Sequence, residues 1–165
     1  MYIGTDVRVG WGYDVHRFDD RPPLTLAGVV VDETRGIAAT SDGDVVAHAV
    51  VDAVLGAAGL GDIGEMFPSS DPRWEDADSM QMVRDAAMAA HEAGWYVAGC
   101  DVTVVAEKVR IAPHRKDMVV NLADRLGVME IQSVSVKATT TDGLGFTGRE
   151  EGIAVTAVAV LRSLD

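Results

Sequence analysis

The sequence predicts an α+β fold: a mixed β-sheet with helices packed on one face, in a single domain spanning residues 1–165. Three observations predict it. Three segments repeat their apolar residues at the helical period and stop at glycines. Five segments read as strands, and all but residues 24–31 alternate with a period of two. The two kinds follow one another as β-β-α-α-β-α-β-β, an order that suits helices laid against a sheet.

Residues 6–15 read as the first strand, and Tyr13 and Val15 alternate with polar neighbours in "GYDVHRF", residues 12–18. "LTLAGVVV", residues 24–31, reads as a second strand, broken at Gly28. The first helix lies within "ATSDGDVVAHAVVDAVLGAAGLGDIG", residues 39–64. Ser41, Asp42 or Asp44 caps it, Val45, Ala49, Val50, Ala53, Val54 and Ala57 form its stripe, and Gly59 and Gly61 end it. Residues 65–77, with Pro68 and Pro72, read as a loop. A second helix runs from about Asp78 to His91 and stops at Gly94. "WYVAGCDVTVVAE", residues 95–107, is strand, and a third helix runs from near Pro113 to Gly127. "SVSVKATTT", residues 133–141, alternates as a strand. "GIAVTAVAVLRSL", residues 152–164, fits helix or strand, and its valines and period of two favour strand.

Composition narrows the function. The formal net charge of −12 argues against a nucleic-acid partner, because phosphate backbones need a basic footprint. A small phosphorylated ligand remains compatible, provided a metal ion or local N–H donors supply the positive charge. Hydrophobic content of 48% supports a folded core. The single cysteine, Cys100, rules out an internal disulfide and fits a reducing compartment. With no signal-peptide pattern and no membrane-length apolar run, the expectation is a soluble cytoplasmic protein.

Chemistry concentrates in three places. Asp14 and His16 are two apart on a strand, so they leave the same face with Cα atoms roughly 6.6 Å apart. Asp44, His48 and Asp52 recur every four residues and share one helical face. Such a stripe is ordinarily solvated, and a lone histidine is ordinarily a surface group. Together, however, Asp14, His16 and His48 form an N2O set, which with one open position suits a catalytic zinc site, or manganese or iron. Thr40, Ser41 and Asp42 precede a helix, where backbone N–H groups favour anions, although an ordinary N-cap has the same appearance. In "VKATTTDGLGFTGREEG", residues 136–152, three threonines supply hydroxyls, Gly143, Gly145 and Gly148 permit close backbone approach, Lys137 and Arg149 supply charge, and Asp142 suits a hard cation such as magnesium. An edge strand followed by a loop has the same look.

The motifs "DVHRF", "SDGDVVAHAVVDAVLGAAGLGDIGEMFPSSDP", "ADS", "DVTVVAE", "PH" and "VKATTTDGLGFTGREEG" occur in order over nearly the whole chain. Together they resemble the 2-C-methyl-D-erythritol 2,4-cyclodiphosphate synthase family of the non-mevalonate isoprenoid pathway. The resemblance implies a lyase that converts 4-diphosphocytidyl-2-C-methyl-D-erythritol 2-phosphate into the cyclic diphosphate with release of CMP. It implies a homotrimer with active sites between subunits. Asp14, His16 and His48 would bind zinc or another divalent transition metal, and Asp142, where the family usually has Glu, would hold magnesium or manganese with the substrate phosphates. Thr40 and Ser41 would lie near those phosphates and Asp62 near the erythritol hydroxyls. Ala106, Arg110, Ala112, Ala138, Thr139 and Thr140 would line the cytidine diphosphate site. Phe146 and Arg149 would face a central cavity able to take an isoprenoid diphosphate. Thr40 replaces a usual His, Val109 and Arg110 a Pro-Lys pair, Ser69 an Asp and Glu150 a Gly. The Thr40 replacement motivates an alternative, a catalytically weakened diphosphate-binding trimer of the same fold.

Overall fold

The fold is given by a computed structural model that describes residues 6–39, 41–74 and 77–164. Strand β1 (Val7–Asp19) is followed by β2 (Leu24–Leu26), β3 (Val29–Asp32), β4 (Gly36–Ile37) and the helices α1 (Val45–Ala58) and α2 (Ile63–Met66). A 3-10 turn at Pro72–Trp74 leads to α3 (Ser79–Glu92), β5 (Trp95–Val105) and α4 (Arg115–Leu126). After a 3-10 turn at Ile131–Ser133 come β6 (Val134–Thr139), α5 (Gly145–Gly148) and β7 (Gly152–Ser163).

Five strands form one mixed sheet in the order β4-β1-β7-β5-β6, with β5 and β6 parallel and the other pairs antiparallel. Helix α1 lies over β1 and β7, α3 over β5 and α4 over β6, all on one face. This is the expected architecture, and residues 152–164 are strand: Ile153, Val155, Ala157, Ala159 and Leu161 of β7 point alternately into the core. Each such Val or Leu contributes roughly 1.5–3 kcal/mol on burial.

The helices begin and end where their caps dictate. Among the three residues suited to capping α1, Asp44 does so, accepting the Ala47 N–H, and Gly59 closes the helix at φ 75°. Asp78 caps α3 through the Met80 N–H, and Gly127 closes α4 at φ 67°. Helix α4 starts at Arg115, two residues after the expected Pro113.

Three expectations are corrected. Residues 24–31 are not a strand of the main sheet; Ala27 and Gly28, both at positive φ, turn them into a hairpin that forms its own two-stranded sheet. The loop at 65–77 is shorter than its reading, since α2 reaches Met66 and Pro72–Trp74 is a 3-10 turn. The first strand runs four residues beyond residue 15, to Asp19.

Strand β1 inverts the ordinary alternation. Its inward positions are Gly10, Gly12, Asp14 and His16, while Val9, Trp11, Tyr13 and Val15 face away from the helices and are exposed. The two glycines bring α1 against the strand backbone: a Cβ on Gly12 would stand 1.9 Å from the Ala49 carbonyl oxygen, and one on Gly10 1.9 Å from that of Ala53. Among the described residues, no helix is long and apolar enough to cross a membrane.

Candidate active site

His48 sits one residue before Ala49, on the part of α1 that Gly12 draws against the sheet. The strand places Asp14 and His16 opposite. His16 Nε2 lies 2.9 Å from Asp14 Oδ2, and His48 Nδ1 lies 3.1 Å from the same oxygen. One ligand atom from each of the three residues falls within 4.8 Å of the others, a set that could hold a metal ion. Among the described residues it is the one such group of His, Cys, Asp and Glu.

The donor set fits a cation in a second respect. Each imidazole presents one nitrogen to Asp14 and has a partner for the other. His16 Nδ1 is 3.2 Å from the Ala38 carbonyl oxygen, and His48 Nε2 is 3.0 Å from Ser79 Oγ and 3.2 Å from Ser41 Oγ. Metal-binding histidines are ordinarily oriented in this way. Electrostatics agree: burial works against the Asp14 charge, but the His16 and His48 imidazoles beside it outweigh burial and hold the carboxyl well below the usual carboxylate range. Burial likewise lowers His16, and its hydrogen bond to Asp14 wins, raising the imidazole above its ordinary value.

The other acids of the α1 stripe are each bonded to backbone N–H groups. Asp44 is fully buried and accepts the N–H groups of Ala27 (2.9 Å), Gly28 (2.8 Å) and Ala47 (3.0 Å), clamping the β2–β3 turn to the start of α1. Burial pushes its carboxyl up to about 6, against the pull of those three donors. Asp52 accepts the Ile63 N–H at 2.8 Å and thereby ties α2 to α1. Asp62, exposed, caps α2 by accepting the Glu65 N–H at 2.9 Å. A cavity of about 200 Å³ opens beside His48, lined by Ser41, Ile63, Phe67, Ser69 and Trp74 among others. A wider cleft of about 360 Å³ lies at the far end of the sheet, near Tyr96 and Arg162, and contains none of the three cluster residues. Thr40 lies outside the described residues.

The remaining candidates gather at the other edge of the sheet, after the parallel ends of β5 and β6. Ala106 is buried and its N–H donates to the Thr139 carbonyl at 3.1 Å; Arg110, Ala112, Ala138, Thr139 and Thr140 are exposed around it. Asp142 adopts φ +53° and accepts from Thr140 Oγ1 at 3.2 Å. Thr141 faces its own turn, donating to the Leu144 carbonyl at 2.6 Å. Lys137 pairs with Asp101, and Arg149 pairs with Glu151 at 2.8 Å. Phe146 is half-buried on α5, a turn of helix within the expected glycine-rich loop.

The structure therefore joins Asp14, His16 and His48, but does not bring Asp142 to them. Val15, Ala154, Val105 and Thr139 stand in one row across β1, β7, β5 and β6. Three strand spacings, about 14 Å, separate the first from the last.

Two functional-looking residues lie within the motifs "ADS" and "DVTVVAE", but nothing in the sequence assigns them a partner. Ser79 is wholly buried behind His48. Glu107 accepts the N–H groups of Thr141 (3.3 Å) and Gly143 (3.2 Å), one on each side of Asp142. Both depend on contacts across more than thirty residues of chain.

Comparison with known proteins agrees over the same span. The model of the YgbB family matches residues 7–162. A 2-C-methyl-D-erythritol 2,4-cyclodiphosphate synthase of Pseudomonas aeruginosa (strain UCBPP-PA14) is 52% identical over 155 residues, which cover 94% of this chain and 98% of the relative. The bifunctional IspDF of Campylobacter jejuni is 41% identical with a TM-score of 0.94, covering 98% of this chain and 44% of that longer one. The CDP complex of Plasmodium falciparum IspF is 29% identical with a TM-score of 0.84, covering 98% and 99%. With the family's model spanning the sheet, the helix layer and the Asp14–His16–His48 cluster alike, the chain belongs to the YgbB family, that of the 2-C-methyl-D-erythritol 2,4-cyclodiphosphate synthases.

Proposed function

We propose that the chain converts 4-diphosphocytidyl-2-C-methyl-D-erythritol 2-phosphate into 2-C-methyl-D-erythritol 2,4-cyclodiphosphate and CMP. The observation that carries this is the convergence of Asp14 Oδ2, His16 Nε2 and His48 Nδ1 in a chain 52% identical to a synthase of that name. In the reaction an oxygen of the 2-phosphate attacks the β-phosphorus, the bond from that phosphorus to the oxygen bridging to the α-phosphate breaks, and CMP leaves. The attacking oxygen is already anionic, so no side chain need act as a general base. The obstacles are repulsion between anions and the entropy of bringing the two ends together.

The chain's residues address both. A divalent cation held by Asp14, His16 and His48, zinc in our reading, would neutralise phosphate charge and polarise the reacting group. Asp142 would hold magnesium or manganese for the diphosphate, with Thr139 and Thr140 donating to its oxygens. Ser41 and Asp62 would orient the phosphate and the erythritol hydroxyls beside His48. Ala106, Arg110, Ala112 and Ala138 would receive the cytidine end. Fixing both ends of one molecule in this way is worth up to roughly 7–11 kcal/mol. The intact three-residue cluster favours this reading over a weakened binding protein.

The active unit in this proposal is a homotrimer with sites between neighbours. The three strand spacings between β1, which carries Asp14 and His16, and β6, which leads to Asp142, support it, because one diphosphate does not span that gap within a chain. So does the exposed apolar row of β1, where Val9 is 65% and Trp11 63% exposed. Phe146 and Arg149 would then face the central cavity.

The test is CMP release from the cytidylyl substrate in the presence of zinc and magnesium, with the product analysed. Formation of the cyclic diphosphate in step with CMP is expected, and its loss in His48→Ala. A linear monophosphate product, or no CMP from zinc-loaded protein, would overturn the proposal.

A further inference from the structure

His48 is backed by a pair of side chains that no ligand role explains. Ser79, 0% exposed, opens α3, and both its N–H (3.0 Å) and its hydroxyl donate to the carboxylate of Asp42. Asp42 also accepts the Asp44 N–H at 3.2 Å, which holds its carboxylate in the turn before α1. An ionised carboxylate only accepts, so the one hydroxyl proton of Ser79 is committed to Asp42. What Ser79 Oγ turns towards His48 Nε2, 3.0 Å away, is a lone pair.

A lone pair there requires a hydrogen on Nε2. A neutral imidazole carries one N–H, so Nδ1 is left with its own lone pair, and Nδ1 is the atom beside Asp14 Oδ2. His16 is the mirror case. Its Nδ1 faces the Ala38 carbonyl, which only accepts, and its Nε2 is left for the cluster. Ser41 also approaches His48 Nε2, at 3.2 Å, but its oxygen accepts the Gly43 N–H and, among the described residues, its proton is committed to no carboxylate, so it can donate or accept.

We infer that Ser79, held by Asp42, is a positioning residue: it selects the Nε2–H tautomer of His48 and so dedicates Nδ1 to the cation. This rests on the reading of Asp14, His16 and His48 as a cation site. Asp14 pulls the other way, since its carboxylate would also accept an Nδ1–H. In the metal-free protein the tautomer therefore reports directly which partner prevails.

The experiment is nitrogen-15 NMR of histidine-labelled, metal-free protein at a pH where the imidazoles are neutral, on the wild type, Ser79→Ala and Ser79→Thr. Zinc affinity is measured on each by chelator competition. The wild type is expected to hold His48 as Nε2–H. Ser79→Ala should move it towards Nδ1–H and weaken zinc binding by about 10- to 100-fold. Ser79→Thr, which keeps the hydroxyl, should restore the wild-type tautomer. An Nδ1–H tautomer in the wild type would overturn the inference, as would unchanged tautomer and affinity in Ser79→Ala. If the wild type shows Nε2–H yet zinc binding is insensitive to His16→Ala and His48→Ala, the cation-site reading fails and the tautomer assignment stands.

Discussion

Gly12 on β1 lies so close to Ala49 on α1 that a Cβ at position 12 would stand 1.9 Å from the Ala49 carbonyl oxygen. That approach sets the distance between helix and sheet. Because His48 precedes Ala49, it also sets the distance from His48 to Asp14. A glycine with no catalytic chemistry of its own thus governs the geometry of the cluster.

Replacing Gly12 by Ala should push α1 away from β1. The expected loss of stability is on the order of 3 kcal/mol, the upper range for overpacking, because the clash is with backbone and no side chain can turn aside. Zinc affinity should fall with it. Urea titration and chelator competition on Gly12→Ala check both; wild-type values for the two would show that the helix can shift without cost.

Asp44 gives a pH dependence with a definite sign. Its carboxyl is pushed up to about 6 from 3.8 by burial, so between those values the folded chain binds more protons than the unfolded one. Stability from this group is then lost as pH rises from about 4 to 6 and levels off above, by roughly 3 kcal/mol in all. Metal-free wild type compared with Asp44→Asn in urea, at intervals across that range, isolates the contribution. A difference that grows with pH would mean that the Ala27, Gly28 and Ala47 N–H groups outweigh burial.

Glu107 spans Asp142 by accepting the N–H groups on either side of it. Glu107→Ala should free the turn and raise the magnesium concentration needed for half-maximal turnover several-fold. Stability should change by less than about 1.5 kcal/mol, since both bonds are long and partly exposed. A magnesium titration of the variant decides; an unchanged midpoint would leave Glu107 as a structural brace alone.

The separation of His48 from Asp142 within one chain invites a complementation test. His48→Ala and Asp142→Ala should each be inactive alone. Mixed and allowed to exchange subunits, they should recover about one quarter of wild-type activity, because in a head-to-tail ring one site in four draws both intact residues. No recovery despite demonstrated exchange would mean that each site belongs to a single chain.

What the sequence reveals follows from the range over which each feature is encoded. The two-residue spacing of Asp14 and His16 and the capped period of α1 are local, and they place three ligands on two correct surfaces. Whether those surfaces meet depends on Gly10 and Gly12, whose meaning is visible only against Ala53 and Ala49. The hairpin at 24–32 was legible only as a break at Gly28, because the residue that folds it, Asp44, lies sixteen positions away. Helices α2 and α5 have four residues each and so no periodicity to detect. Ser79 and Asp42 look like ordinary cap residues in the sequence; their link to His48 exists only once α1 and α3 pack together.

The most direct measurement is anomalous diffraction at the zinc edge from crystals grown with zinc and CDP. One peak is expected within about 2.0–2.2 Å of Asp14 Oδ2, His16 Nε2 and His48 Nδ1 together. A zinc peak bound elsewhere, or one that reaches His48 through Nε2, would contradict the site described here.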